Sequence, residues 1–481
     1  MSALGNLNPS KVFEFFELIS SVPHGSDNTG IISNLCCDFA RDRELNYIQD
    51  ELGNVIIYKP GTVGYETHKP VIIQGHMDMV TVKTPECDID LETDGLRLAH
   101  DKEFVWAEGT SLGADDGIAV AMAMAILDSD SIAHPPIEAV FTINEETGMD
   151  GAHFINASKL TGRVMLNIDS EEEGIITCGC AGGLRVYGSF PLGSEEITSA
   201  CAEICISGLT GGHSGNEIHK GRANANILMG KLLYEIAEMA TIRIVSIAGG
   251  EKDNAIANAC NTVFAYDAAD FDKISAVVKR FEDKVRDEYA STDSNLKIGL
   301  TRLDYKSIKV ADESVSLGII KAMASVPDGV QKMSADIEGL VQTSLNFGVI
   351  DTSDNCVNMT FCLRSSVSAE RDALAEGLSE ILSTNGGTVS TGGKYPAWEY
   401  AKDSQVREKA VGAYEKLFGC KPEITVIHAG LECGLFADKL NNLDCISFGP
   451  DILDIHTVSE KLDIKSTQRV WEFLLELLRN L

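Results

Sequence analysis

Seven side chains of the types that bind or activate divalent cations sit in short polar clusters. They are His76 and Asp78 in GHMDM, Asp115 in GADDG, Glu145 and Glu146 in NEETG, Asp169 in NIDSE and His456 in DIHTV. Zinc and similar ions take imidazole nitrogen and carboxylate oxygen, and hydrolytic centres hold two ions ~3.5–4 Å apart through a shared ligand. Such a centre needs few histidines and several carboxylates. Taken singly, each residue has an ordinary alternative. Asp169 fits a turn or a cap, Asp115-Asp116 the acidic opening of a helix, Glu145-Glu146 a solvated pair and His456 a surface position.

The elements around these clusters give them a common placement. PVIIQ (70–74), IEAVFTI (137–143) and RVMLNI (163–168) are short, continuous apolar runs rich in β-branched residues, as expected of strands buried on both faces. Each is followed at once by polar residues, and in open α/β sheets ligands gather beyond the carboxyl ends of strands. IAVAMAMAIL (118–127) predicts a buried helix beginning near Asp116, far short of the ~20 residues of a membrane span. Beyond residue 186 the pattern changes to alternating strands and amphipathic helices in two rounds. The reading is an α/β fold with a mixed, largely parallel sheet flanked by helices, carried by residues 1–186 and 396–481. Residues 187–395 form an inserted two-lobed α+β domain.

Longer motifs carry a resemblance. HMDMV (76–80), GADDG (113–117), NEETGMDGA (144–152) and NIDSEEEG (167–174) resemble those of the co-catalytic two-zinc metallopeptidases. CGCAGG (178–183), GLTGGHSGNEIHKGRANAN (208–226) and HAGLECGLF (428–436) are similar to the aminoacyl-histidine dipeptidase branch of that family. The resemblance implies hydrolysis of dipeptides, Xaa-His and broader, by a water activated between two divalent ions, zinc first, with cobalt or manganese as alternatives. It implies that His76 and Asp169 hold one ion, that Glu146 and His456 hold the other, and that Asp115 bridges them. Asp78 would support the His76 imidazole, and Glu145 would be the general base. On an extended segment Glu145 and Glu146 would point opposite ways, one to the water and one to a metal.

In the inserted domain the same likeness implies that His213, in GGHSG, helps stabilise the oxyanion. It implies that Asn254, Arg364 and Gly430 contact the substrate, Arg364 through a carboxylate. From the residues alone, GGHSG is also an ordinary tight turn. Position 257 is Ala where relatives carry proline, and His456 lacks the Pro-His pairing of relatives. The family likeness further suggests a homodimer whose inserted domain acts as a lid.

Composition narrows the partners. The 481 residues hold 72 acidic and 40 basic side chains, a formal charge of −32, which repels phosphate backbones and anionic membranes. A small peptide, and neither nucleic acid nor a membrane, is the expected partner. Thirteen cysteines without a CxxC pair, and an N-terminus without a basic-then-apolar leader pattern, point to reduced thiols and the cytoplasm. Two alternatives remain: a related amidase of the same fold, such as an N-acyl amino acid deacylase or tripeptidase, and a non-catalytic binding protein on that fold.

Overall fold

The three apolar runs form the strands Val71–His76, Ile137–Thr142 and Val164–Asn167, and with Asp444–Ser447 they make a four-stranded parallel centre. All residues of the first two strands are buried. This accounts for hydrophobic runs without alternation, since parallel strands are covered on both faces. In the computed structural model, which describes residues 3–193, 195–353 and 355–481, four further strands flank this centre. The order is Asn46–Gln49, Val55–Lys59, Ile137–Thr142, Val71–His76, Val164–Asn167, Asp444–Ser447, Ile175–Cys180 and Glu423–Ile427. Val55–Lys59 and Ile175–Cys180 join this parallel middle antiparallel.

Helix Ala114–Asp128 is buried at every position from Ala114 to Leu127. It packs against strand Val71–His76 and against helix Ser10–Ser20, so its sequence has no polar stripe to keep wet. The last helix, Ile464–Asn480, is the opposite case. Val470, Phe473, Leu474, Leu477 and Leu478 bury one face, and the Asp463 carboxylate caps it by accepting from the Ser466 N–H at 2.7 Å.

The chain divides into two compact units. The first holds residues 1–180, 400–426 and 431–481; the second holds 181–399 and 427–430. The first break thus falls after Cys180 and not at 186, because strand Gly182–Pro191 pairs along its length with Cys356–Ser365 of the second unit. The return is also interrupted: HAGLECGLF, read as one motif, contributes His428 to Gly430 to the second unit and Leu431 onward to the first.

The second unit is an antiparallel sheet in two halves. Lys297–Val310, Glu195–Ser207, Cys260–Tyr266 and Ile242–Gly249 form one; Val341–Ser353, Cys356–Ser365, Gly182–Pro191 and Thr388–Tyr395 form the other. The single pair Gly249 and Ile350 joins them. Helices Ala225–Ala237 and Glu313–Ser325 meet closely at Gly230, where a Cβ would stand 2.6 Å from that of Met323.

Candidate metal centre

Parallel strands bring their carboxyl ends to one edge of a sheet. His76 ends its strand, Glu145 and Glu146 follow Ile137–Thr142, and Asp169 follows Val164–Asn167. Asp115 opens the buried helix, joined to Asp116 by a cis peptide bond. His456 comes from the loop between Ile452–Leu453 and Lys461–Asp463, with a φ of 61°. All belong to the first unit. Gly75 is required here: a Cβ at 75 would lie 2.5 Å from the Asp116 carboxylate and 2.6 Å from Ala119.

The two oxygens of Asp115 face different partners. Oδ1 is 3.2 Å from His76 Nε2, which is itself 3.5 Å from Asp169 Oδ1. Oδ2 is 3.1 Å from His456 Nε2, which is 2.8 Å from Glu146 Oε1. Three groups of three donors, His76 with Asp116 and Asp169, His76 with Glu145 and Glu146, and Asp115 with Glu146 and His456, are each compact enough for a single ion. The ring of His76 is turned for this purpose. Its Nδ1–H donates to the Asp78 carbonyl at 2.9 Å, and since a carbonyl only accepts, Nε2 is the nitrogen left for a cation.

Asp78 does more than support that ring. Its carboxylate is 3.6 Å from the ring nitrogen but accepts from the N–H of Glu145 at 3.0 Å, the N–H of Glu146 at 3.4 Å and the Ser26 hydroxyl at 2.8 Å. Consequently Glu145 and Glu146 are not on an extended segment, as their sequence suggested. They open a tight turn in which the Glu145 carbonyl accepts from Gly148 and Met149 at 3.1 and 3.0 Å. The turn, and not strand alternation, separates their side chains.

The electrostatics fit a cation. Burial raises Asp169 to about 6 and Glu171 to about 7, and it pushes Glu145 well above the usual carboxylate range, with Asp169, Glu432 and Glu146 adding to the effect. Burial would raise Asp115 too, but hydrogen bonds from His456 and His76 hold it below its ordinary value. His456 rises to about 10 through Asp115 and Glu146. Glu146 Oε1 is buried, and His456 Nε2 lies 2.8 Å from it. Carboxylates crowded out of water beside two imidazoles are the donor set a pair of divalent ions requires.

Three buried acids went unread in the sequence. Glu460, four residues after His456, accepts from the backbone N–H groups of Leu112, Gly113 and Ala114 at 2.8, 3.1 and 2.8 Å. It thereby ties the loop of His456 to the loop of Asp115. Asp116 Oδ2 accepts from the His76 N–H at 3.3 Å. Glu432 Oε2 accepts from Gln74 at 2.5 Å and Thr142 at 2.7 Å beneath the strand ends, and burial raises it to about 8. A signal for Glu460 was its spacing from His456; the other two lacked one.

Of the residues expected to meet substrate, His213 and Asn254 line one cavity of about 320 Å³ in the second unit. Arg364 and Gly430 are not in its lining. His213 Nδ1 accepts from the N–H groups of Gly215 and Asn216 at 3.2 and 3.1 Å. Burial and then Arg364 lower its pKa, so the ring is neutral with its proton on Nε2. Arg364 is buried, and its guanidinium donates to the Tyr395 hydroxyl at 3.1 Å.

Comparison with known proteins extends over nearly the whole chain. Residues 72–480 match the peptidase family M20/M25/M40. The chain is 34% identical over 483 aligned residues to the cytosol non-specific dipeptidase of Escherichia coli (strain K12), covering 100% of this chain and 99% of that protein. The crystal structure of aminoacylhistidine dipeptidase from Vibrio alginolyticus superposes with a TM-score of 0.93 at 36% identity, covering 99% of this chain and 98% of that one. Aminopeptidase PepT from Bacillus cereus shares the fold at a TM-score of 0.58 and 15% identity, each chain 98% covered.

Proposed function

Because the chain belongs to peptidase family M20/M25/M40, we propose that it is a metal-dependent dipeptidase acting on Xaa-His and other dipeptides. The observation that carries the reading is the divided Asp115 carboxylate, one oxygen toward His76 and the other toward His456. In this reading Asp115 would be a ligand shared by two divalent ions, His76 and Asp169 would help hold one of them, and Glu146 and His456 the other. Bound ions supply Lewis acidity that activates a water molecule and polarises the peptide carbonyl. Zinc is the first choice, with cobalt or manganese as alternatives.

Glu145 is the base. Its carboxylate takes a proton from the attacking water and returns it to the leaving amine. Asp78 holds the Glu145–Glu146 turn through its carboxylate and the His76 ring through its backbone carbonyl, so base and ligands are set by a single residue. His213, neutral with a free Nε2–H, is suited to donate to the developing oxyanion without first losing a proton. Arg364, Asn254 and Gly430 would contact the remainder of the peptide. A cytosolic setting follows the description of the Escherichia coli relative, and no helix among the described residues is long and apolar enough to cross a membrane. A homodimer belongs to the same proposal and is checked by light scattering.

The test is a dipeptide panel, with His-containing members and N-acyl amino acids, offered to metal-stripped protein with zinc, cobalt or manganese restored. Hydrolysis of dipeptides on restoration is expected. Preference for N-acyl amino acids would favour the amidase alternative, and no turnover of any substrate would remove the reading.

A further inference from the structure

The second unit holds a cavity of about 530 Å³ that shares no lining residue with the one containing His213 and Asn254. Three helices open onto it: Ala225–Ala237, Phe271–Glu288 and Glu313–Ser325. Each brings one lysine, Lys231, Lys284 and Lys321 in turn. The close crossing at Gly230 fixes the spacing of two of them, because Gly230 precedes Lys231 and packs on Met323, which follows Lys321 by two positions. Asn385 joins the lining where its carbonyl lies 2.3 Å from where a Cβ at Gly318 would stand.

The pairing of the neighbouring charges sets these lysines apart. On helix Phe271–Glu288, Lys273 is 2.7 Å from Asp270, Lys279 is 2.8 Å from Asp283, Arg280 is 2.9 Å from Glu235 and Arg286 is 2.9 Å from Glu282. Lys284 is the one basic residue of that helix without an ion pair among the described residues, although Asp287 and Glu288 follow it at helical spacing. Lys231 has Glu235 four residues on, but Arg280 holds that carboxylate. Lys321 has no acid three or four residues away in either direction. Asp328 feels the charge of Lys231, but burial dominates and raises its pKa to about 7 while its carboxylate accepts from Phe347 and Asn224. It is therefore less than a full counter-charge at neutral pH. Three ammonium groups converging without carboxylates repel one another, and a bound anion removes that cost. In a chain of formal charge −32 this is a local feature and not the character of the surface.

The walls narrow the kind of anion. All three cations are lysines, compact point charges that suit a multiply charged phosphate, whereas the planar fork that fits a carboxylate belongs to arginine, and Arg280 is already committed. Phe281 is buried in the lining, and Tyr234, one turn from Lys231, presents a partly exposed ring. The volume is that of a small-molecule site.

We propose that this cavity binds phosphate, free or carried on a small organic group, with Lys231, Lys284 and Lys321 around the anion and the Tyr234 ring as the surface an organic group would lie on. The site is contained in the second unit and stands apart from the dipeptidase reading.

The experiment is differential acetylation of the metal-loaded full chain, alone and with inorganic phosphate, adenosine monophosphate or succinate, read lysine by lysine by mass spectrometry. Lys409, exposed on another helix, is the internal control. With a phosphate probe at ten times its Kd, modification of all three cavity lysines is expected to slow by about tenfold, and that of Lys409 to stay unchanged. Calorimetry then compares the parent with a variant carrying Lys231→Gln, Lys284→Gln and Lys321→Gln together. Its affinity for the same probe should fall by at least about thirtyfold, from roughly threefold for each exposed charge contact, with the melting temperature held. Adenosine monophosphate binding more tightly than phosphate would assign an ester seated on Tyr234, and equal affinities would assign the free ion; either supports the site. Three outcomes would overturn it. They are unchanged modification of the cavity lysines with both phosphate probes, protection by succinate as strong as by phosphate, and a triple variant that keeps the parent's affinity, which would place the bound phosphate at the metal centre or elsewhere.

Discussion

Oδ2 of Asp115 stands 3.1 Å from Nε2 of His456, a residue 341 positions further along the chain. The other oxygen of the same carboxylate is committed to His76. One side chain therefore joins two donor groups, and removing it should not resemble removing either neighbour. In Asp115→Ala, metal analysis after desalting is expected to find both ions depleted, because a bridging carboxylate also offsets repulsion between dications. In His456→Ala about one ion per chain should remain. Two retained ions in the Asp115 variant would exclude the bridge.

Glu145→Gln is expected to lower kcat by about a hundred- to ten-thousandfold, the usual contribution of a positioned proton acceptor. Both ions should stay bound, since the side chain is assigned to the water and not to a metal. The Asp78 contacts fall on the Glu145 backbone, so the turn should survive the change. Near-normal turnover, or loss of metal, would assign the base elsewhere.

Glu460 touches no candidate ligand through its carboxylate, yet it holds three backbone N–H groups immediately before Asp115. Groups that orient metal ligands typically change affinity by about ten- to a hundredfold when altered. Glu460→Gln is expected to weaken metal binding on that scale in competition titrations, with circular dichroism unchanged. Unaltered affinity would show that the two loops hold their places without it.

Asp328 offers a test of stability against pH away from the metal centre. Burial raises it from the ordinary 3.8 to about 7, while its Oδ1 accepts from the Phe347 N–H at 3.0 Å and from Asn224 at 3.3 Å. The folded state binds this proton more tightly than the unfolded state, so the group's contribution to stability falls as pH rises from about 4 to about 7. An amide oxygen can accept the same two hydrogen bonds. Asp328→Asn should accordingly raise Tm at pH 8 by a few degrees and give no gain at pH 4. A gain of the same size at both pH values would rule out the ionisation as its cause.

His76, Glu145, Glu146 and Asp169 were legible as candidates because each follows a buried apolar run, and Asp115 because it opens a buried helix; His456 lies in a loop, and the resemblance alone pointed to it. What the sequence hid lay in long-range contacts to backbone. The conformation of Glu145 and Glu146 depends on the Asp78 carboxylate, 67 residues away, so a local pattern suggested an extended segment where a turn exists. Glu460 acts on amides 346 to 348 positions earlier, and backbone amides leave no mark in residue type. The break after Cys180 depends on which strand Gly182–Pro191 pairs with, a choice made by residues 356–365.

The four residues 427–430 also bear on how this protein could be re-engineered. A graft that exchanged only residues 181–399 for the corresponding segment of another enzyme would import Ser344, Arg364 and His213 but retain the host's own His428 strip. The recombinant would set one parent's Ser344 against the other's His428 imidazole. The second unit is thus encoded in two separate stretches of the chain, and chimaeras built at the obvious borders would leave it incomplete until the second stretch is moved as well.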